Sequence, residues 1–306
     1  MTGAPYYAYR QFMIDTYGVP LHRVPIDLGL GCPHRRADGT GGCAFCAPDG
    51  SRAGYTAGLD TVEEQIRAGV AFARERYKAR RFMAYVQAFT GTFAPPARQR
   101  ELYGSILDAF PFDALSIGTR PDCLPEATLD VLAEFAGRVQ LWIELGVQTA
   151  NDATLERIHR GHDWAASRDA IRALHERGIR VAVHVILGLP GEAEEQFRAT
   201  ARALGGLPVS GIKIHNLHVI RGSDLEREFR EKPFPVYDEE AYAAILIDFL
   251  RRLPPTLPII RINTDTVEAN LIAPRWRMTK GQFRTYVEQE MARQQARQGD
   301  LYGSEP

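Results

Sequence analysis

The chain is short of cysteine, of net charge and of long apolar runs, and each shortage excludes a class of protein. No uninterrupted hydrophobic stretch approaches the roughly 18 residues that a membrane span requires. The first ten residues hold three tyrosines and one arginine, without the basic and then apolar regions of a secretory leader. Four cysteines, three of them within fifteen residues, are too few and too clustered for a secreted disulfide framework. A cytoplasmic protein free of membrane is therefore expected. Lys and Arg number 37 against 38 Asp and Glu, a net charge of −1, so there is no global pull toward nucleic acid, only room for a local basic face. No Gly-x-Gly-x-x-Gly follows the first predicted strand, which removes the usual dinucleotide fingerprint. What remains is an ordinary globular composition, 45% hydrophobic and 25% charged over 306 residues, enough for one large domain or two modest ones.

Against this background one stretch stands out. Cys32, Cys43 and Cys46 follow an apolar run, Val24 to Leu30, in the spacing Cys-x10-Cys-x2-Cys. Thiolates gathered on a loop are metal ligands or disulfide partners. An iron–sulfur cluster normally takes four cysteines. Three leave one iron open to a substrate or cofactor, the arrangement of radical S-adenosylmethionine (SAM) enzymes. A structural zinc site with His34 or His22 as fourth ligand fits the same residues, and so do three unconnected buried thiols.

Periodicity organises the rest. Thr61 to Glu64 reads as a capping box opening a helix with Ile66, Val70, Ala73 and Tyr77 on its buried stripe. Its far end carries Arg74, Arg76, Lys78, Arg80 and Arg81, suited to the helix dipole or to a phosphate. Strands are expected at 81–90, 114–118, 139–147, 179–187 and 211–219, each pair separated by a helical pattern. Such alternation gives a parallel sheet with right-handed crossovers. Gln87, Glu144, His184, Lys213 and His215 occupy strand positions that a two-sided sheet would fill with apolar residues. Polar strand positions fit a barrel whose interior meets a ligand. The expected fold is thus α/β, a partial (β/α)6 TIM-like barrel at 24–220, with an N-terminal arm at 1–23 and a C-terminal α/β extension at 221–306 packed on the barrel. In that extension, helices at 238–253 and 279–298 flank a seventh strand at 258–263 and a loop at 264–277.

With these residues placed, the chain resembles a radical SAM protein of the elongator-catalytic-subunit-like branch, and within it the YhcC/YtqA-type group. The likeness is carried by the wide first cysteine gap and by Ala84-Tyr-Val-Gln-Ala-Phe-Thr90, Ile117-Gly-Thr-Arg-Pro-Asp-Cys123 and Trp142-Ile-Glu-Leu-Gly-Val-Gln-Thr149. Val185-Ile-Leu-Gly-Leu-Pro-Gly-Glu192, Gly211-Ile-Lys-Ile-His-Asn-Leu-His218 and Leu271-Ile-Ala-Pro274 add to it, all in order. The resemblance implies a 4Fe–4S cluster on Cys32, Cys43 and Cys46, with SAM on its open iron. A low-potential donor such as flavodoxin or ferredoxin would supply one electron, and SAM would yield a 5′-deoxyadenosyl radical that abstracts hydrogen from substrate. By position Gln87 and Thr90 are expected at the methionine end of SAM, and Glu144 and Gln148 at the sulfonium or ribose. Gly188 and Pro190 are expected beside the adenine, with Phe45 and His184 also lining the cofactor. Arg120, Cys123 and Lys213 are the candidate catalytic groups. Arg120 could clamp a carboxylate or phosphate as a fork, and Cys123 could donate a hydrogen atom, accept a covalent bond or lie inert. Lys213 inside a barrel needs a carboxylate or substrate partner, Glu144 being the first choice.

The chain departs from the group at Gly91, where asparagine is usual, and in the loops at 50–55 and 264–270; these changes are expected near substrate. The branch suggests the wobble uridine side chain of tRNA as substrate. A small molecule or peptide is the alternative, and a non-catalytic zinc-stabilised binding protein is the reading from another class.

Overall fold

The structure, a computed structural model, describes residues 4–36, 38, 40–47, 50, 54–56 and 58–304. Six βα units run in order: β1 (His22–Ile26), α2 (Val62–Tyr77), β2 (Phe82–Val86), α3 (Pro96–Ala109), β3 (Ala114–Thr119) and α4 (Glu126–Ala136), preceded by α1 (Tyr9–Tyr17). Next come β4 (Gln140–Gln148), α5 (Asp152–Arg157), α6 (Trp164–Glu176), β5 (Arg180–Leu187), α7 (Glu194–Gly205) and β6 (Gly211–Asn216). The extension adds β7 (Val219–Ile220), α8 (Asp224–Glu231), α9 (Glu239–Arg251), β8 (Ile259–Arg261), β9 (Leu271–Ala273) and α10 (Lys280–Arg293). Seven strands form one parallel sheet in the order β1-β2-β3-β4-β5-β6-β8. The seventh strand of the sequence reading thus joins the sheet itself. The expected 264–277 loop instead contains β9, which pairs antiparallel with β7.

The sheet is curled, and side chains show it. Arg23 on β1 bonds Glu144 on β4 at 2.5 Å, and Lys213 on β6 bonds Tyr85 on β2 at 3.1 Å. In a flat sheet these strands lie three and four spacings apart, roughly 14 and 19 Å, beyond the reach of either side chain. Only curvature toward a barrel brings them together. Outward residues such as Val24, Ile26, Leu115, Ile117, Ile143 and Val183 pack under the helices in one apolar core. Inward at the N-terminal end, Met83, Ala114, Trp142 and Ala182 form a second layer, plugged by Phe12 and Met13 of α1. Phe12 meets Trp142 edge-on at 5.6 Å.

Local chemistry explains the boundaries. Thr61 and Glu64 make the expected capping box, and Asn151, Asp163, Asp238 and Thr279 each accept a backbone N–H at the start of a helix. Ser223 caps α8 in the same way, a helix with no place in the sequence reading. The β8 edge is covered: Ile259 N–H donates to the Tyr7 carbonyl at 2.8 Å, and Gln298 Oε1 accepts from Tyr7 N–H at 2.8 Å. The β1 edge carries Pro25, which has no N–H to offer a further strand. No helix among the described residues is long and apolar enough to cross a membrane.

Candidate functional site

The C-terminal ends of the strands gather the polar loops. The cysteine loop follows β1, and its Cys43-Ala-Phe-Cys46 turn is seated by backbone bonds: Ala44 N–H donates to the Ile158 carbonyl and the Ala44 carbonyl accepts from Leu225 N–H, both at 2.9 Å. Ala44 and Phe45 pack with Leu155, Ile158, Leu189 and Leu217, so an apolar pocket fixes the turn. Phe45 therefore faces α5 and the loops after β5 and β6.

Two guanidiniums converge on one thiol. Arg120, in the loop after β3, donates to Cys43 Sγ at 3.3 Å, and Arg160, in the loop after α5, donates at 3.2 Å. Burial works to raise the Cys43 thiol, but Arg160 and Arg120 outweigh it and hold it below its ordinary value. Arg160 also donates to the Gly146 carbonyl at 2.5 Å. A β-carbon at Gly146 would stand 2.5 Å from that guanidinium, so the arginine crosses β4 only because the position has no side chain. Arg120 is further tied to Asp122 by two bonds, at 2.9 and 3.1 Å, and to the Arg160 carbonyl. Its fork is thus spent on Asp122 and the cysteine turn, and does not face an open substrate position. Asp122 also meets His34 at 2.6 Å.

The four cysteines carry no disulfide. Burial raises the Cys46 thiol, with Arg35 opposing and the neighbouring Cys43 and Cys32 adding to the rise. Among the described residues no group of three His, Cys, Asp or Glu side chains is drawn in to metal-holding distance. The donor set nonetheless fits an anionic cluster: three free thiols on one seated loop, with two buried guanidiniums beside them. The zinc alternatives do not converge. His34 is occupied by Asp122, and His22 begins β1 at the opposite end, stacked on Tyr77 at 5.2 Å.

Around this centre the remaining candidates divide. Thr90 is buried, docks on the cysteine loop through N–H to the Gly31 carbonyl at 3.2 Å, and its hydroxyl has no partner among the described residues. That unfilled hydroxyl is the kind of atom a polar cofactor would satisfy. Gln87 closes the β2 end, its N–H on the Ile26 carbonyl at 3.0 Å. Gln148 is buried at the end of β4 with φ of 74°, and Ala88 (116°), Phe89 (52°) and His159 (53°) also take left-handed backbone here. Such conformations cost about 1–3 kcal/mol each and gather at functional sites. Gly188 faces the Tyr237 ring, and Pro190 is buried behind it. Cys123 is buried, and burial pushes its thiol up to about 12, so the thiolate required for covalent attack is absent at neutral pH.

Deeper in the barrel Glu144 is a hub. It accepts from Arg23 at 2.5 Å, from His184 at 2.9 Å and from Lys213. Burial would raise its carboxyl, yet Arg23 and Lys213 hold it well below the usual range. Lys213 goes down as well, through burial and then Arg23. The stable assignment is an Arg23–Glu144 ion pair with the Lys213 amine, its proton loosely held, between Glu144 and Tyr85. His184 stacks on His215 at 5.5 Å, and burial lowers both rings into the neutral form. Glu144 and His184 thus belong to this interior network.

Gly91 does not open to the mouth. Its N–H donates to the Gly118 carbonyl at 2.8 Å, and a β-carbon would stand 2.8 Å from that oxygen and from Ile117 Cγ2. The departure from asparagine is thus a packing feature, and Gly91→Asn is expected to destabilise the chain by about 1–3 kcal/mol; urea unfolding without that loss would contradict the packing. Glu192, buried after β5, accepts from Thr149 at 2.5 Å, and burial raises its carboxyl to about 7 against the two threonine hydroxyls, of Thr149 and Thr154, that oppose it. A carboxyl raised in the folded state contributes stability fully below its ordinary value near 4.5 and loses it as pH rises through about 7. Unfolding between pH 4.5 and 8 should show this loss, on the order of 3 kcal/mol, and Glu192→Gln should flatten it.

Comparison with known proteins agrees with this geometry. The family model described as "Radical SAM superfamily" matches residues 26–204, and that of the "Radical_SAM C-terminal domain" matches 209–293. YtqA of Bacillus subtilis is 34% identical over 97% of this chain and 92% of its own length. A tRNA uridine(34) acetyltransferase of Dehalococcoides mccartyi is 30% identical over 49% of this chain and 33% of that protein. The structure of archaeal Methanocaldococcus infernus Elp3 superposes with a TM-score of 0.73 at 18% identity, covering 91% of this chain and 64% of that one, a likeness of fold. The thiol loop, the curled parallel sheet and these matches lead to one conclusion: the chain belongs to the Radical SAM superfamily.

Proposed function

We propose that this protein is a radical SAM enzyme that holds a 4Fe–4S cluster on Cys32, Cys43 and Cys46, binds SAM beside it, and modifies the wobble uridine side chain of tRNA. The observation that carries the reading is the seated three-cysteine loop at the strand ends, with Arg120 and Arg160 on Cys43. When bound, the cluster and SAM supply a 5′-deoxyadenosyl radical through one-electron reduction. The chain's own residues do the rest. Arg120 and Arg160 offset the negative charge of the thiolates, and the apolar seat of Ala44 and Phe45 excludes water from one side. Thr90 Oγ1 and the Gln148 side chain offer polar contacts for SAM. Lys213 Nζ, with its lowered proton affinity, is the group suited to move a proton at the barrel interior. The electron comes from a low-potential flavodoxin or ferredoxin.

The tRNA assignment draws support from the relative named for uridine 34, which aligns with half of this chain. The net charge of −1 favours the second reading, a small molecule or peptide. The deciding experiment incubates the reconstituted enzyme with SAM, dithionite and tRNA, then digests the RNA and weighs nucleoside 34. A mass change that depends on SAM supports the tRNA reading; an unchanged nucleoside, with 5′-deoxyadenosine still formed, moves the substrate to the second class.

A further inference from the structure

The helix α2 stripe was expected to end on a buried Tyr77, but the ring is 55% exposed. Phe72, one turn earlier, is also 55% exposed and meets Tyr77 edge-on at 5.9 Å. Beside them lies a cleft of about 260 Å³ lined by Arg10, Val19, His22, Tyr77, Lys78 and Arg80, among others. Among the described residues no carboxylate lines it. The nearby acids are Asp113, occupied by Arg81 at 2.7 Å, Asp15, which accepts from Tyr7 and Gln11, and Glu75 on α2. Arg10, Lys78 and Arg80 make no ion pair among the described residues, so their charge is not spent within the fold. In a chain of net charge −1 this is a local excess of cations interleaved with exposed aromatic rings.

We propose that this cleft is an RNA-binding surface, with Arg10, Lys78 and Arg80 on backbone phosphates and the exposed ring of Phe72 as a stacking surface for a base, braced by Tyr77, whose own ring stacks on His22 and lies under Arg76. The inference rests on the tRNA reading above and deepens it by naming where the RNA is held away from the chemistry. A concave, basic, aromatic-edged cleft suits a single strand or loop better than a flat lipid surface. The cleft lies at the start of β1, the first strand of the sheet, whose Pro25 carbonyl further along accepts from the Tyr55 hydroxyl. Four residue steps along that strand, roughly 13 Å, separate His22 from the end that leads into the cysteine loop.

The test uses the full chain and a fluorescent tRNA transcript in anisotropy titrations across salt. Lys78→Glu with Arg80→Glu should weaken binding at least tenfold and flatten the salt dependence by about two phosphate contacts. Phe72→Ala with Tyr77→Ala should weaken it about fivefold or more. Both variants should form 5′-deoxyadenosine from SAM without RNA at the wild-type rate, since the cleft is remote from the thiols. Unchanged affinity in the charge-reversed variant overturns the cleft, as does wild-type modification of nucleoside 34 by that variant. Binding to phosphatidylserine vesicles but not to RNA also overturns it. RNA held through this cleft with nucleoside 34 unaltered supports the cleft and sinks only the substrate reading.

Discussion

Replacing Glu144 with alanine is expected to cost about 3–5 kcal/mol of folding stability, the effect of leaving Arg23 without its counter-ion and the Lys213 amine and His184 without their acceptor. Arg23, His184 and Lys213 all direct hydrogen-bonding nitrogens at this one carboxylate, which is 2% exposed. In a chain of this size the loss corresponds to a melting temperature lower by on the order of 10 °C. Glu144→Gln keeps the shape but not the charge and should fall in between. The double variant Glu144→Ala/Lys213→Met removes the buried amine left without its acceptor and should recover part of the loss, so the two substitutions will not add. A single Glu144→Ala variant within 1 kcal/mol of wild type would contradict the hub.

The second large effect is expected at Arg160. Its guanidinium bridges Cys43 Sγ and the Gly146 carbonyl, so Arg160→Met leaves a buried carbonyl unpaired, at about 1–3 kcal/mol. It also removes a positive charge and an N–H donor from a cluster ligand. Both losses disfavour the electron-rich state, so the reconstituted variant should have a lower reduction potential and stay oxidised at dithionite levels that reduce the wild type. Arg160→Lys restores charge without the fork and should lie closer to wild type. Redox titration followed by electron paramagnetic resonance measures this directly. A potential equal to that of the wild type would mean that Arg160 serves only the backbone of β4.

Much of this architecture was legible because it repeats. Six strands alternating with capped helices state a parallel sheet, and polar residues at strand positions, Glu144 and Lys213 above all, state a curled one. A lysine cannot face a barrel interior alone, and its partner proved to be the carboxylate two strands away. Short elements were not legible. β7 and β9 hold two and three residues, below the length at which alternation can be read. The α2 stripe misled at Tyr77 because helical spacing continues past the point where the sheet stops covering the helix.

Arg160 was missed for a different reason. It lies in a loop without periodicity, and its role exists only once β3, β4 and the cysteine loop have met. The available signal was Gly146, a glycine inside a strand, which marks close approach by another group. Arg120 was found, but its neighbour Asp122 two residues on is what takes its fork.

The central claim is that Cys32, Cys43 and Cys46 hold an iron–sulfur cluster that acts on SAM. Anaerobic reconstitution with iron and sulfide, followed by dithionite and SAM, tests it, with iron content and 5′-deoxyadenosine measured for wild type, Cys43→Ala and Cys123→Ala. The account predicts about four irons per chain and 5′-deoxyadenosine for the wild type, the loss of both in Cys43→Ala, and retained iron in Cys123→Ala. A colourless wild-type protein that keeps zinc and forms no 5′-deoxyadenosine would contradict it.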